Sequence, residues 1–127
     1  MTRPFRRAAR FWLPASALLL LVPVLAVAHA QLVRSRPVAK SVVQTAPDRV
    51  ELWFSERLEP AFARLTVWSA AGVQVDLGDA AVAASDPRQL SVGLHPLGAG
   101  RYVVKYRVLS VDGHVVESQF SFTLRAP

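Results

Sequence analysis

The chain has 127 residues, with 15 lysines and arginines, nine aspartates and glutamates, and no cysteine. Four of the basic residues lie within the first 28 positions, so residues 29–127 carry eleven basic and nine acidic side chains, a net charge of +2. So small a charge gives no basis for nucleic-acid binding. The lack of cysteine excludes disulfides and thiolate metal sites. The only methionine is Met1.

The first 28 residues have the pattern of a secretory leader. Four arginines come first, an uncharged stretch rich in Leu, Ala and Val follows, and Ala26-Val27-Ala28 supplies the small-x-small pattern that signal peptidase recognises. A membrane anchor is the alternative, but the uncharged stretch is near the lower length limit for a span and contains Pro14 and Pro23. We therefore predict an exported protein with a signal peptide at 1–28 and a mature domain at 29–127.

Alternating apolar and polar residues after Gln31 predict short, half-buried strands. The alternating runs are RVELWFS at 49–55, ARLTVWS at 63–69, VQVDL at 73–77, QLSVGL at 89–94, RYVVKYRVL at 101–109 and QFSFTL at 119–124. Residues 80–85 have the composition of, at most, one helical turn. Seven or eight such strands in 99 residues predict an all-β fold, an antiparallel Greek-key β-barrel or Ig-like sandwich. Arg101, Lys105 and Arg107 fall on the solvent side of one strand.

The histidine directly after the predicted cleavage point could acquire a special chemistry. Cleavage after Ala28 would give His29 a free α-amino group, which can chelate one metal ion together with the imidazole Nδ1 of the same residue. Nitrogen donors in tetragonal geometry suit Cu(II) and Ni(II), and Cu(II) leads the divalent affinity order. The alternative is that histidine follows the cleavage site by chance.

A second candidate lies in VDGHV at 111–115, between two predicted strands. Asp112 and His114 are two positions apart, so on an extended chain both side chains project to one side. The alternative is an ordinary Asp-Gly turn with an exposed histidine. Ser110 is close enough in sequence to hydrogen-bond the Asp112 carboxylate. His95, in a Leu-His-Pro loop, is expected to be an exposed loop residue.

Together these residues would offer three nitrogens and one carboxylate oxygen: the amine and imidazole of His29, Asp112 and His114. Cu(II) prefers such a set, and tetrahedral Zn(II) would also accept it. Cu(I) would not be favoured, because the mature chain has no sulfur ligand.

The mature chain resembles the CopC family of bacterial periplasmic copper-binding proteins. Five features carry the resemblance: the histidine at the cleavage point, the LxxSxPxxxxxV opening at 32–43, LWFSERLEPAF at 52–62, PLGAGRYVVKYRVLS at 96–110 and SVDGHVVESQFSF at 110–122. Some family members carry a methionine-rich loop with a Cu(I) site, which this chain lacks. Many have glycine where this chain has Glu117.

The resemblance implies a Greek-key β-barrel that binds one Cu(II) through His29, Asp112 and His114. It also places Glu56, in the family's FSE motif, beside the site, where it would hydrogen-bond a ligand or the amine. It implies a monomeric, non-enzymatic periplasmic protein for copper homeostasis, resistance or delivery to an inner-membrane transporter of the CopD type.

Two other functions remain open from the sequence. One is a copper oxidase or monooxygenase with an N-terminal histidine, which would need coordination positions left open for oxygen. The other is a β-sandwich interaction module whose histidines bind no metal.

Overall fold

The computed structural model describes residues 1–4, 9–11, 20–22 and 30–126. Most of the predicted signal peptide, its cleavage point and His29 lie outside these residues. Within the described part of the chain, no helix is long and apolar enough to cross a bilayer.

The described residues form eight strands and one turn of 3₁₀ helix. The strands are β1 (Leu32–Arg36), β2 (Val42–Val43), β3 (Arg49–Phe54), β4 (Arg64–Ser69), β5 (Ala81–Ala83), β6 (Asp86–Gly93), β7 (Gly100–Leu109) and β8 (Val115–Leu124), and the 3₁₀ turn is Pro60–Phe62. The all-β fold class predicted from the alternating runs is confirmed.

The strands form two four-stranded sheets, ordered β1-β3-β6-β5 and β2-β8-β7-β4. Neighbours are antiparallel except β2 and β8, which pair in parallel through two residues. The chain crosses between the sheets after each of its first four strands, so each sheet combines segments that are distant in sequence. The result is a sandwich with its apolar faces turned inward.

Two local expectations need correction. The segment 80–85, expected to form at most a helical turn, contains β5, whose Val82 pairs with Leu90 in β6. The run VQVDL does not form a regular strand but makes isolated bridges through Gln74 and Asp76. Both deviations lie beside an edge of a sheet, where side-chain patterning constrains the backbone least.

The core is formed by alternate residues of the long strands, and its buried apolar residues lie between Ala30 and Leu124 among those described. Phe54 of β3 and Tyr106 of β7 meet edge to face across the two sheets, with ring centroids 5.5 Å apart. Tyr102 stacks on Phe122 in β8 and donates its hydroxyl to the Gly98 carbonyl. Residues 30–124 therefore contain a complete core of their own.

We expect the Phe54→Ala variant of residues 29–127 to lose about 3–5 kcal/mol of unfolding free energy, because Phe54 is 2% exposed and joins the two sheets. Urea denaturation measures the change. The control, Val33→Ala, alters a side chain that is 62% exposed, and its effect should stay within about 0.5 kcal/mol. Equal losses in the two variants would contradict the assigned core.

Candidate metal site

The candidate ligands lie in the loop that joins β7 to β8. Ser110 and His114 close the loop, since the Ser110 amide donates to the His114 carbonyl at 3.0 Å. Inside it, the Gly113 amide donates to the Ser110 carbonyl at 2.9 Å. Gly113 has φ +93°, a conformation that residues with a Cβ rarely adopt. Glycine therefore allows the sharp turn that places Asp112 and His114 next to each other.

Asp112 and His114 form a close, accessible pair of potential metal ligands. Oδ1 of Asp112 lies 3.2 Å from Nδ1 of His114, and the two side chains are 40% and 36% exposed. This distance is near the spacing of adjacent donors around one ion with metal–nitrogen bonds of about 2.0–2.1 Å. The two side chains therefore lie together, although the backbone between them is a tight turn and not the extended chain on which the sequence expectation rested.

Ser110, which is fully buried, holds both residues of this pair in place through hydrogen bonds. It donates to Oδ1 of Asp112, and its oxygen lies 3.2 Å from the His114 amide, which donates to it. The hydrogen bond from Ser110, and then that from His114, lower the pKa of Asp112 from its ordinary value. The carboxylate is therefore held ionised, which is the form that binds cations.

A segment between β3 and the 3₁₀ turn connects this loop to the N-terminal part of the domain. On one side, Ser55 and Gln31 exchange two hydrogen bonds: the Ser55 amide donates to the Gln31 carbonyl at 2.8 Å, and the Gln31 amide donates to Ser55 Oγ at 2.9 Å. On the other side, the Val111 amide donates to the Arg57 carbonyl at 3.0 Å. Glu56, half-buried, lies between these two attachments.

The structure thus brings together three of the sequence-predicted elements: Asp112, His114 and the segment that carries Glu56. His29 lies outside the described residues, but its neighbour Ala30 is completely buried. Among the described residues, no cluster of three histidine, aspartate or glutamate side chains could hold a metal ion. The visible site is therefore the Asp112–His114 pair.

Two further residues are placed away from the ligand pair. His95 is exposed, as predicted, and lies in the loop before β7, whereas His114 follows it. A ten-residue strand spans about 33 Å, so these histidines belong to opposite ends of the sandwich. Glu117 lies in β8 opposite Arg107, at 3.9 Å, rather than at the loop.

Sequence reasoning did not identify Ser55, although it carries the hydrogen bonds to Gln31. The signal available was its position at the end of β3, directly before Glu56. A serine at that position indicates only the end of a strand. The structure is needed to show that Ser55 hydrogen-bonds Gln31, near the start of the described domain.

The all-β sandwich has counterparts among known proteins. Residues 32–125 match the CopC domain, which covers most of the chain. The chain belongs to the CopC family.

Its relatives include copper resistance proteins. Copper resistance protein C of Pseudomonas syringae pv. tomato is 33% identical over 112 residues, covering 84% of this chain and 88% of that protein. Copper transport protein CutJ of Bacillus subtilis is 28% identical over 116 residues, which is 91% of this chain but only 21% of CutJ.

Solved structures agree with the fold. CopC from Methylosinus trichosporium OB3b superposes with a TM-score of 0.72 at 39% identity, covering 77% of this chain and 95% of that one. PcoC from Escherichia coli, a methionine-rich copper resistance protein, superposes with a TM-score of 0.68 at 31% identity, covering 77% of this chain and all of PcoC.

We expect Ser110→Ala to raise the pKa of Asp112 toward its ordinary value, since the largest cause of the lowering is removed. Carboxyl-carbon NMR titration measures it. A pKa lowered on folding stabilises the protein above the unfolded-state pKa, and this contribution is lost as the pH falls through the folded-state pKa. Wild-type stability should therefore fall more steeply on acidification than that of Ser110→Ala. Ser118→Ala, which alters an exposed residue of β8, is the control and should leave both quantities unchanged.

Proposed function

We propose that the mature chain is a periplasmic copper-binding protein that holds one Cu(II) ion. The ligands are the α-amino group and imidazole of His29, the carboxylate of Asp112 and the imidazole of His114. The observation that carries the proposal is the convergence, at one end of the sandwich, of the Asp112–His114 pair with the backbone that leads to residue 29. The names of the relatives, copper resistance and copper transport proteins, support the choice of metal.

The path of the chain makes this ligand set possible. Gln31 is fixed to Ser55, and Ala30 is buried, so residues 30–31 lie beside the segment that also binds the 110–114 loop. Consecutive Cα atoms are about 3.8 Å apart. We therefore propose His29, the residue bonded directly to Ala30, as the source of the other two ligands.

The donor chemistry favours Cu(II). Three nitrogens and one ionised oxygen suit a tetragonal divalent ion. PcoC is described as methionine-rich, whereas the one methionine of this chain is Met1, inside the predicted signal peptide. A sulfur-based Cu(I) site is thus outside what the mature chain can build, and the proposal is a single Cu(II) site.

Glu56 is proposed to orient the site rather than to bind the ion. It is half-buried and lies between the attachments of Ser55 to Gln31 and of Arg57 to Val111. A carboxylate in that position can accept a hydrogen bond from the amine or from a ligand imidazole and fix its direction.

The proposed role is to store and carry copper without chemical conversion. The Asp112 carboxylate fills a coordination position that an oxygen-activating enzyme would keep open. The ligand pair lies at the exposed end of a hairpin, where an ion can be passed directly to another protein. A CopD-type inner-membrane transporter is the proposed recipient.

The first test compares a mature chain that begins at His29 with one that carries Gly-Ser ahead of it. The native-start protein should take up one Cu(II) with a tetragonal, nitrogen-rich paramagnetic resonance spectrum. The extended protein should lose most of that affinity, because its His29 nitrogen is an amide. Competition with a chelator measures the affinities. Equal binding by the two chains would refute the amine–His29 chelate.

The second test separates ligands from supporting residues. His114→Gln and Asp112→Asn should weaken Cu(II) binding more than the roughly 10–100-fold that is typical of losing a group which only orients a ligand. Glu56→Gln should fall within that range. His95→Gln is the matched control, since it removes an exposed histidine at the other end of the sandwich, and it should bind like the wild type. A loss in His95→Gln equal to that in His114→Gln would contradict the site.

A further inference from the structure

The outer face of the sheet β2-β8-β7-β4 carries a concentration of positive charge. Arg64 of β4 lies directly opposite Arg107 of β7, and Thr66 lies opposite Lys105. Arg101, also in β7, continues the row. All four cations are exposed, and they point away from the core because they alternate with buried residues such as Tyr106. We call Arg64, Arg101, Lys105 and Arg107 the basic face.

The basic face is poorly balanced by acidic groups. Among the described strand residues that point outward from this sheet, the only carboxylate is Glu117, whose side chain is 76% exposed and lies 3.9 Å from Arg107. Such an exposed pair contributes little. This surface holds four of the eleven cations of the mature domain and one of its nine acids. Its local charge of +3 exceeds that of the whole domain.

In the opposite sheet, β1-β3-β6-β5, three arginines lie close to a carboxylate or to an aromatic ring. There, Arg36 and Arg49 both reach Glu51, at 3.7 and 3.6 Å. Arg34 packs over the ring of Trp53 at 3.8 Å. The contrast is one of degree: in that sheet one carboxylate, Glu51, lies near two arginines, whereas on the basic face one carboxylate, Glu117, lies near one of four cations.

The arrangement costs stability in the isolated protein. Like charges directly opposite each other in a ladder, as in Arg64 and Arg107, are destabilising. When an anionic surface covers the pair, the electrostatic interaction becomes favourable, because both guanidinium groups then face negative charge. The basic face is therefore suited to a partner whose negative charges are distributed over an area as wide as this sheet.

Apolar side chains border the basic face. Phe62 and Val115, 57% and 52% exposed, line a cleft with Leu109 beside Arg107. At the other end, the half-buried ring of Trp68 lies 5.5 Å from the ammonium of Lys105. Cations combined with aromatic and aliphatic side chains on one side of a sheet match the headgroup layer of a bilayer, where lipid phosphates and the apolar boundary lie close together.

We propose that the basic face is a docking surface for anionic phospholipid headgroups. Lipid is favoured over an acidic protein because the cations of the basic face are bordered by exposed apolar side chains, which is the combination that a headgroup layer and its apolar boundary require. The β7–β8 hairpin links this face to the Asp112–His114 loop, so docking would hold that loop close to the membrane. The proposal needs no bound metal, and its test is separate from the copper experiments.

The test is co-sedimentation of the metal-free mature chain, residues 29–127, with lipid vesicles. Vesicles are made either of phosphatidylcholine alone or of an equal mixture with phosphatidylglycerol, at about 0.01 M and about 0.15 M ionic strength. The wild type should bind the mixed vesicles, more weakly at the higher ionic strength, and should not bind phosphatidylcholine alone. Lys105→Gln/Arg107→Gln should weaken binding by on the order of tenfold or more.

The matched control is Arg36→Gln/Arg88→Gln, which removes the same charge from the other sheet and should bind like the wild type. Circular dichroism verifies that both double variants are folded. Equal weakening in both variants would show that only net charge matters and would overturn the proposal. Failure of the folded wild type to bind mixed vesicles at low ionic strength would also overturn it, leaving an acidic protein as the partner for this face.

Discussion

The site depends on the backbone of one short segment, residues 55–57, which is bonded on both sides. Ser55 holds Gln31, and the Arg57 carbonyl accepts the Val111 amide. These hydrogen bonds join three parts of the chain that are distant in sequence: the first residues of the domain, the end of β3 and the β7–β8 loop. Since Phe54, directly before the segment, is locked between the sheets against Tyr106, the segment is positioned by the core itself. The position of a surface site is thereby set by apolar packing.

Within the loop, a buried hydroxyl supplies the rigidity that an exposed pair of ligands lacks. Asp112 and His114 are both accessible, and exposed side chains normally sample several rotamers. Ser110 is fully buried and contacts both residues, one through its carboxylate and the other through its backbone amide. The same contact lowers the pKa of Asp112. One hydroxyl thus sets geometry and charge together, which is how supporting groups commonly tune metal ligands.

Much of this could be predicted from the sequence, and the limits have physical causes. Long alternating runs such as RYVVKYRVL identified β7, because one face of it is buried and a shift by one residue would expose the core. The pairing of Asp112 with His114 followed from their spacing around a glycine. The strand at Ala81–Ala83 was missed, since three small residues on a sheet edge have no clear period. The role of Ser55 also escaped prediction, because it depends on which distant strand lies beside β3.

The distribution of charge between the two sheets also depends on strand pairing, which composition alone does not reveal. A net charge of +2 for residues 29–127 gives no basis for expecting nucleic-acid binding, yet this average conceals the difference between the two sheets. In the first sheet, Glu51 lies between two arginines. In the second, Arg64 and Arg107 are brought together only by the antiparallel register of β4 and β7. The hairpin that continues from this register ends in the Asp112–His114 loop. A single pair of strands therefore connects the basic face to the candidate ligands, so that orientation of one surface also orients the other.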